Sequence, residues 1–422
     1  MAPLSPLAPL AARSFASGAA AAAERIQSQW INPTGVLQIL LIVAGDVVGG
    51  ALEQLSGGHI TPVVFSFGWV GYAQQAFVSA ISLHRLLKPP NANDPSYMIS
   101  VPSGRIVTNR SCILNRILRD YDAWKPQEVH EEEHKAYIKY RRREASRDKR
   151  ITEQDLSSFE ALESTPLTIT VFSASPNKEP GVRYRDKLWY SGMLIAIIQL
   201  GIACVPFALG GDWGPLYLTS VGTILAFATG SLPQFGKEKW GEAKRTSHRT
   251  VALTKGHHHR ECIVIHGLGI GLDLEDLAMA DWKKHNLLSG KKFGKKGKPK
   301  KQATAWPYTR MCTGILSICW IVLLISASGI RANSWYLVGI GALGLVQNAW
   351  VAASPTTPES QGLHLDFQGV TASDNALKAL LIADQKFGGL GLALLKIYCP
   401  DLEQQEILSE WHYLQEEYGP MI

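Results

Sequence analysis

The sequence predicts a membrane α-helical protein with six transmembrane helices arranged as three hairpins. A small cytosolic α/β module, built from two long loops and the C-terminal tail, completes the predicted fold. Three observations predict it: the apolar residues gather in six blocks, the blocks pair across short turns, and the charged residues gather between the pairs. Each block approaches the ~20 residues with which an α-helix crosses a ~30 Å hydrocarbon core. Mean hydropathy over the whole chain is +0.00, which does not by itself indicate a membrane protein. The prediction rests on the separation of apolar residues from charged residues along the chain.

Turn residues and composition divide the chain into seven predicted segments. Ser-Gly-Gly at 56–58, Pro89-Pro90 and Pro233 mark three of the boundaries. The segments are a disordered N-terminal tail (1–33), hairpin 1 (34–88, with spans 34–55 and 60–83), cytosolic loop 1 (89–187), hairpin 2 (188–233, with spans 188–209 and 215–232), cytosolic loop 2 (234–306), hairpin 3 (307–353, with spans 309–330 and 334–353) and a cytosolic helical C-terminal tail (354–422).

The two loops and the tail carry the pattern of a small mixed module. Residues 128–150 predict an exposed helix, acidic at its start and basic at its end, which suits the helix dipole. Three β-branched stretches predict strands at 165–173, 249–254 and 260–266. The tail predicts an amphipathic helix over 375–398, interrupted at Gly388-Gly389, and a second helix over 403–418. We expect the three strands to share one sheet that the tail helices cover.

The distribution of Lys and Arg predicts the orientation in the membrane. Both long loops are rich in these residues, whereas the three short turns contain only Arg331. Because Lys and Arg are retained on the cytoplasmic side, the long loops and both termini are predicted to be cytosolic. The protein is therefore predicted to be integral to the plasma membrane or an endomembrane.

Four polar residues in hairpin 1 are candidate functional groups within the membrane. Asp46 lies near the middle of the first span, with Glu53 seven residues later on the same helical face, and Gln74 and Gln75 are predicted at similar depth in span two. A carboxylate at mid-bilayer is costly, so Asp46 is expected to face the bundle interior. Two interpretations stay open: a proton or cation path, or a hydrogen bond that packs two helices.

A glycine-rich turn in loop 2 is the candidate ligand loop. Gly267, Gly269 and Gly271 follow a predicted strand, and Asp273 opens a predicted helix, which is the outline of a phosphate-binding turn. The glycine spacing does not match a dinucleotide fingerprint, and the turn lacks the Lys-Ser/Thr pair of a P-loop. Close packing of a strand against a helix is the alternative explanation.

Loop 2 also contains residue types that bind metals and lipids. His257, His259, Cys262 and His266 are metal-ligand types, but their spacing matches no standard zinc pattern, and no cofactor is predicted. The basic run from Lys291 to Lys301 is expected to contact anionic lipids of the inner leaflet. Nucleic-acid binding is not expected, because the run is tethered to the membrane and interleaved with a single aromatic residue.

Several motifs resemble those of an uncharacterised family of multi-pass membrane proteins from filamentous fungi. They are Asn-Pro-Thr-Gly-Val-Leu-Gln at 32–38, Phe-Gly-Trp-Val-Gly-Tyr at 67–72, and the glycine turn with its helix start at 267–278, followed by a folded tail after span six. The family has no established activity, so the resemblance implies the architecture and no mechanism.

Three functions remain compatible with the sequence. The leading hypothesis is a non-catalytic membrane protein whose cytosolic module binds a partner or ligand. The second is a proton- or ion-coupled transporter or channel that uses Asp46 and, with only six spans, would act as a homo-oligomer. The third is a membrane-bound enzyme with a site in the cytosolic loops.

Overall fold

The computed structural model describes residues 27, 44–82, 84–87, 95–146, 166–240, 246–256, 259–279, 292–293, 299–300, 305–330, 332–398 and 411. The chain divides into two compact units, each of which is described by itself. The helical unit comprises Met1–Leu87, Lys187–Phe235 and Thr304–Ser354, and the sheet unit comprises Lys88–Asp186, Gly236–Ala303 and Pro355–Ile422.

The described helices are α1 (Gly45–Leu55), α2 (Trp69–Ile81), α3 (Cys112–Arg119), α4 (Tyr121–Trp124), α5 (Gln127–Ser146), α6 (Lys187–Gly210), α7 (Gly214–Gly230), α8 (Pro233–Trp240), α9 (Leu274–Met279), α10 (Ala305–Ser328), α11 (Ser334–Ala353), α12 (Ala376–Lys386) and α13 (Leu390–Tyr398). The described strands are β1 (Tyr97–Ser100), β2 (Arg105–Thr108), β3 (Leu167–Ala174), β4 (Thr246–Ser247), β5 (Thr250–Thr254), β6 (Glu261–His266), β7 (Gly271–Leu272), β8 (Lys292–Phe293), β9 (Pro299–Lys300) and β10 (Leu365–Ser373).

Four helical stretches are long and apolar enough to cross a membrane. They are Lys187–Gly210, Gly214–Trp240, Tyr308–Ser328 and Ser334–Ala353. These stretches correspond to the helices predicted for hairpins 2 and 3. Their bounds differ from the predicted ones mainly at the end of α7, where α8 extends the helical stretch.

Hairpin 1 differs from the prediction. Helices α1 and α2 contain 11 and 13 residues, which at 1.5 Å per residue extend only about 16 and 20 Å and do not cross a ~30 Å core. Residues 34–43 of the first predicted span lie outside the described residues. The continuous helix predicted over 60–83 is wrong, because residues 60–66 are neither helix nor strand and a turn at 67–68 precedes α2.

The local sequence explains why the chain is extended before α2. Pro62 has no N–H to donate, and it disfavours the helical conformation of the preceding residue, Thr61. Val63 and Val64 are β-branched and favour extended backbone. Gly68 then adopts φ 98°, a left-handed conformation in which glycine pays no steric penalty, and α2 starts at the next residue.

Six helices in the described part of the helical unit form a closed ring. Helix α1 packs on α2 and α11, α11 packs on α6, α6 on α7, α7 on α10, and α10 on α2. The apolar core of the unit includes side chains from α1, α2, α7, α10 and α11 as well as Val63, Phe65 and Phe67 of the extended stretch. The two short helices therefore complete a ring whose other members are the four long ones.

The sheet unit contains a six-stranded sheet in the order β10-β3-β6-β5-β1-β2. Strands β3 and β6 are parallel, and every other neighbouring pair is antiparallel. The three predicted strands correspond to β3, β5 and β6 and share this sheet, as expected. The sequence prediction missed β1, β2 and β10, and the tail is not wholly helical because it contributes β10.

Helices cover both faces of the sheet. On one face, α12 and α13 pack against apolar side chains of β3, β5 and β6. On the other face, α3, α4 and α9 pack with alternate residues of the same strands. Asn375 caps α12 by accepting from Lys378 N, and the break at Gly388-Gly389 separates α12 from α13 as predicted. The helix predicted over 403–418 falls outside the described residues, except for the buried Trp411.

Candidate functional site

The centre of the helical unit is occupied by main chain that is neither helix nor strand, the buried segment Thr61–Gly68. Its side chains from Thr61 to Phe67 are all buried. Phe65 alone touches all four long helices. Its ring packs on Gly222 of α7 and on Trp320 of α10, and its carbonyl oxygen meets Gly344 of α11 and accepts from Gln199 of α6. Non-helical main chain at membrane depth requires this kind of enclosure, because lipid cannot satisfy its polar groups.

Two amide side chains from distant helices bond the main chain of the buried segment. Asn348 Nδ2 donates to Val64 O (3.0 Å) and to Ser66 Oγ (2.7 Å), while Asn348 Oδ1 accepts from Val64 N (3.3 Å). Gln199 Nε2 donates to Phe65 O (2.7 Å) and to Ile340 O (2.9 Å). These bonds replace the ladder hydrogen bonds that an extended strand would make in a sheet.

Glycines on the long helices let those helices approach the buried segment closely. A β-carbon at Gly192 would overlap the carbonyl oxygen of Pro62, and one at Gly344 would overlap the carbonyl oxygen of Phe65. A β-carbon at Gly222 would overlap the ring of Phe65, and one at Gly341 would overlap the ring of Phe67. Small residues at helix contacts are typical of membrane helix packing.

An aromatic stack fills the space beside the buried segment. Trp320 lies between Phe65 and Trp69, with ring centroids 6.3 Å and 5.4 Å away and nearly parallel planes. Trp69 Nε1 also donates to Val64 O (2.8 Å), and Trp320 Nε1 donates to Thr229 Oγ1 (3.3 Å). The stack makes the ring interior a packed core around the extended main chain.

The structure does not bring the four predicted intramembrane groups together. Asp46 is exposed in the first turn of α1, so the expectation that it faces the bundle interior is wrong. Because α1 starts at Gly45, its carboxylate lies at a helix N-terminus, where the helix dipole favours negative charge. Glu53 is partly buried, and Gln75 is exposed. Gln74 pairs with Ser317 of α10, whose Oγ donates to Gln74 Oε1 (2.8 Å).

Sequence reasoning missed the polar side chains that do face the interior, Gln199 and Asn348. Both are almost completely buried. Each is a hydrogen-bonding residue inside an otherwise apolar span, which is a recognised signal of an inward-facing functional or structural group.

The predicted glycine turn lies at the carboxyl end of β6, and its amide groups donate hydrogen bonds to main-chain carbonyl oxygens. Gly267 N donates to Arg249 O (3.1 Å), Gly269 N to Ser247 O (3.0 Å) and Gly271 N to Gly267 O (2.8 Å). A β-carbon at Gly267 would overlap Ser247 O, so close packing requires glycine there. This geometry matches the packing explanation rather than a phosphate-binding turn.

Asp273 occupies the position that an anion would take at the start of α9. Its Oδ1 accepts from Glu275 N (3.1 Å) and from Asp276 N (3.2 Å). A bound phosphate would have to displace this carboxylate and would meet the charges of the two following acidic residues. Beside the turn is a small cleft whose lining includes Ala174, Lys178, Pro180, Ile270, Gly271 and His364.

The candidate metal ligands do not converge. His257 lies outside the described residues. Cys262 and His266 stand four residues apart on β6, about 13 Å along a strand, and His266 Nδ1 lies 2.8 Å from Thr250 Oγ1. Burial raises the pKa of the Cys262 thiol to about 12. Within the described part of the chain, no group of three or more His, Cys, Asp and Glu could hold a metal ion.

The sheet unit contains a charge cluster that sequence reasoning also missed. The Nζ of Lys125 lies 2.6 Å from Asp122, 2.7 Å from Glu133 and 3.1 Å from Glu261. The Lys125 side chain is only 4% exposed. Burial alone would lower the pKa of Lys125, but its hydrogen bonds to the carboxylates raise it. Burial also raises the pKa of Glu261.

One stretch of the sheet unit bonds residues that flank three of the long helices. Residues 355–363 follow shortly after α11, and their partners lie between α3 and α4, in the residues before α6, and in α8 after α7. The bonds are Thr356 N to Asp120 Oδ2 (2.9 Å), Arg183 Nε to Ser360 O (2.6 Å), Tyr184 N to Glu359 O (3.2 Å) and Lys239 Nζ to Gln361 Oε1 (3.2 Å). Residues 355–363 are called the junction here, because their bonds join the three chain stretches that make up the sheet unit.

No protein-family model, no curated protein and no solved structure matches the chain.

Proposed function

We propose that this is an integral multi-pass membrane protein without catalytic activity, whose sheet unit is a cytosolic module that binds a partner or ligand. The observation that supports the proposal most directly is that apolar side chains of the long helices are exposed while amide side chains are buried. On α6, Leu194, Ile197 and Leu209 are exposed, whereas Gln199 is 0% exposed and bonds the buried segment. Apolar residues facing outward and amides facing inward suit a hydrocarbon environment.

The binding role of the sheet unit is supported by how the unit is assembled. Its three chain stretches enter or leave the helical unit at different helices, and the junction at 355–363, which belongs to the third stretch, bonds the other two. A ligand that changes the sheet unit can therefore act on several spans at once. The charge bias of the long loops supports a cytosolic location, and the basic run at 291–301 supports a contact with anionic lipids.

The proposal is tested by extraction and protease protection in the native membrane. We expect the full chain to stay in the membrane pellet after alkaline carbonate treatment and to leave it only with detergent. In sealed cytosol-side-out vesicles, an epitope at the C-terminus should be removed by added protease. Release by carbonate would contradict the integral assignment, and protection of the epitope would contradict the orientation.

A second function, ion or proton transport, is favoured by the extended main chain inside a ring of helices. Broken helices in transporters and re-entrant segments in channels place main-chain groups at membrane depth in this way. Under this proposal the path would follow the buried segment and would not involve Asp46. Flux through the purified protein in proteoliposomes, lost in Gly344→Ala and retained in Gly339→Ala at a temperature at which both variants are folded, would support it. Absence of flux in the unmodified protein would reject it.

The proposed architecture is the one implied by the resemblance to multi-pass proteins of filamentous fungi. The motif at 67–72 supports the link between sequence and structure, because it contains Gly68, where the chain turns, and Trp69, which starts α2 and stacks on Trp320. We propose membership of that family on these motifs.

A further inference from the structure

Four large apolar side chains of the sheet unit are exposed on two neighbouring loops. They are Val182 (52% exposed), Tyr184 (66%), Leu268 (57%) and Ile270 (38%). Isolated exposed apolar residues are common on protein surfaces, but a group on one side of a domain indicates a contact surface. These four residues are the apolar rim.

One rim residue lines the small cleft beside the glycine turn, and a second is bonded to a residue of its lining. Ile270 lines the cleft directly, together with Pro180 and His364. His364 Nε2 lies 3.0 Å from Val182 O, and Gly181 N donates to Gly362 O (3.0 Å). The loop before α6 and the glycine turn after β6 therefore form the two sides of one surface.

The backbone holds the rim side chains outward. Leu268 adopts φ 50°, a left-handed conformation that a bulky L-residue rarely takes. The amides of Gly267 and Gly269, on either side of it, donate to Arg249 O and Ser247 O, which fixes the turn. Leu268 is therefore held at the tip of a bonded turn with its side chain in the open.

Chain connectivity relates the rim to the membrane. Tyr184 lies three residues before Lys187, where α6 begins. Three extended residues cover at most about 10 Å, so Tyr184 lies near the point at which that helix would enter the bilayer. Tyr is enriched at this level of membrane proteins because its ring is apolar and its hydroxyl is polar.

We propose that the apolar rim inserts into the headgroup–acyl boundary of the bilayer that holds the long helices. This inference rests on the proposed integral membrane location. Surface-bound apolar groups typically reach about 5–10 Å into that boundary. The charges beside the rim have both signs, with Lys178, Arg185, Lys187 and Arg249 against Glu179 and Asp273, and the proposed contact is the one made by the apolar side chains. It should therefore persist at high salt and in a neutral lipid.

The test places an environment-sensitive fluorescent amino acid at one position at a time in the full chain. Leu268 and Ile270 are the test positions. Ile138 is the matched control, because it is 38% exposed, as Ile270 is, but lies on α5. The labelled proteins are incorporated into phosphatidylcholine nanodiscs, with or without lipid that carries a nitroxide near the top of its acyl chain. Emission wavelength, quenching by the nitroxide and quenching by aqueous iodide are measured at low and high salt.

We expect labels at 268 and 270 to emit at shorter wavelength than the label at 138. They should be quenched by the nitroxide lipid, and the label at 138 by iodide, at both salt concentrations. If the test labels behave like the control in nanodiscs that contain the protein, the rim does not contact the bilayer and the inference is wrong. If the protein fails to enter nanodiscs at all, the integral membrane proposal itself is wrong.

Discussion

Asn348 hydrogen-bonds both main-chain groups of Val64, donating to its carbonyl oxygen at 3.0 Å and accepting from its N–H at 3.3 Å. The two residues are 284 positions apart. One amide side chain thus bonds both main-chain polar groups of a residue that has no helix or strand partner. This pairing lets extended main chain lie inside a ring of helices.

Replacing Asn348 with Leu should therefore destabilise the helical unit. The change keeps the approximate size but leaves the N–H of Val64 without its acceptor, Asn348 Oδ1, and a buried unsatisfied group costs about 1–3 kcal/mol. Thermal unfolding of the detergent-solubilised protein measures the loss. Gln75→Leu, an amide-to-Leu change at an exposed position of α2, is the control and should leave the melting temperature nearly unchanged. Equal melting temperatures for both variants would contradict the pairing.

Lys125→Met should destabilise the sheet unit. The substitution leaves Glu133 and the largely buried Glu261 near each other without the cation that pairs with them. Breaking a buried ion pair by removing one partner costs about 3–5 kcal/mol, a figure that solvent access at Glu133 will reduce. The loss of stability is measured as reduced protection of the β6 amides from hydrogen exchange.

The control for this prediction is Lys135→Met. Lys135 also pairs with a carboxylate, Glu132, at 2.7 Å, but its side chain is 68% exposed. Exposed pairs contribute about 0–1 kcal/mol, so this variant should exchange like the unmodified protein. Adding Glu261→Gln to Lys125→Met should restore part of the protection. A Lys125→Met variant that is no less protected than Lys135→Met would disprove the role of the cluster.

His266 should make the sheet unit less stable in mild acid. Burial lowers the pKa of His266 below its usual value of about 6.5, so below that pH the unfolded chain binds a proton that the folded chain resists. Its contribution is fully present above about pH 6.5 and is lost as the pH falls towards the lowered pKa. His266→Asn keeps a polar atom near the Nδ1 position that faces Thr250 and cannot be protonated. The difference between the melting temperatures at about pH 8 and pH 5 should therefore be smaller in the variant than in the unmodified protein. An equal difference would contradict the role of His266.

Hairpins 2 and 3 could be predicted because their helices are apolar over almost their whole length. The failure lies at 60–68, where the apolar content equals that of a span but the order of residues does not suit a helix. Pro62 with Thr61, Val63 and Val64 around it was a local signal for extended main chain. What stabilises that conformation in the membrane, the bonds from Gln199 and Asn348, depends on residues far away in the sequence.

In the sheet unit, the uninterrupted strands of five or more residues were predictable, whereas the shorter strands and the interrupted strand β10 were not. Strand β3 is Leu-Thr-Ile-Thr-Val-Phe-Ser-Ala, whereas β1 and β2 have only four residues each. Strand β10 contains Gly369 at a bulge and polar residues between its apolar ones, and pairing with β3 stabilises it. The charge cluster around Lys125 was beyond sequence reasoning, because Glu261 comes to it from the start of β6.

The central claim is that the long helices enclose extended main chain at close range. The most direct test compares two glycine substitutions in the same helix, α11: Gly344→Ala and Gly339→Ala. A β-carbon at Gly344 would overlap the carbonyl oxygen of Phe65, whereas nothing lies within 4 Å of one at Gly339. Alanine favours a helix over glycine by about 1 kcal/mol, so Gly339→Ala should melt at or above the temperature of the unmodified protein and Gly344→Ala clearly below it. If both variants melt alike, the buried segment does not lie where the structure places it.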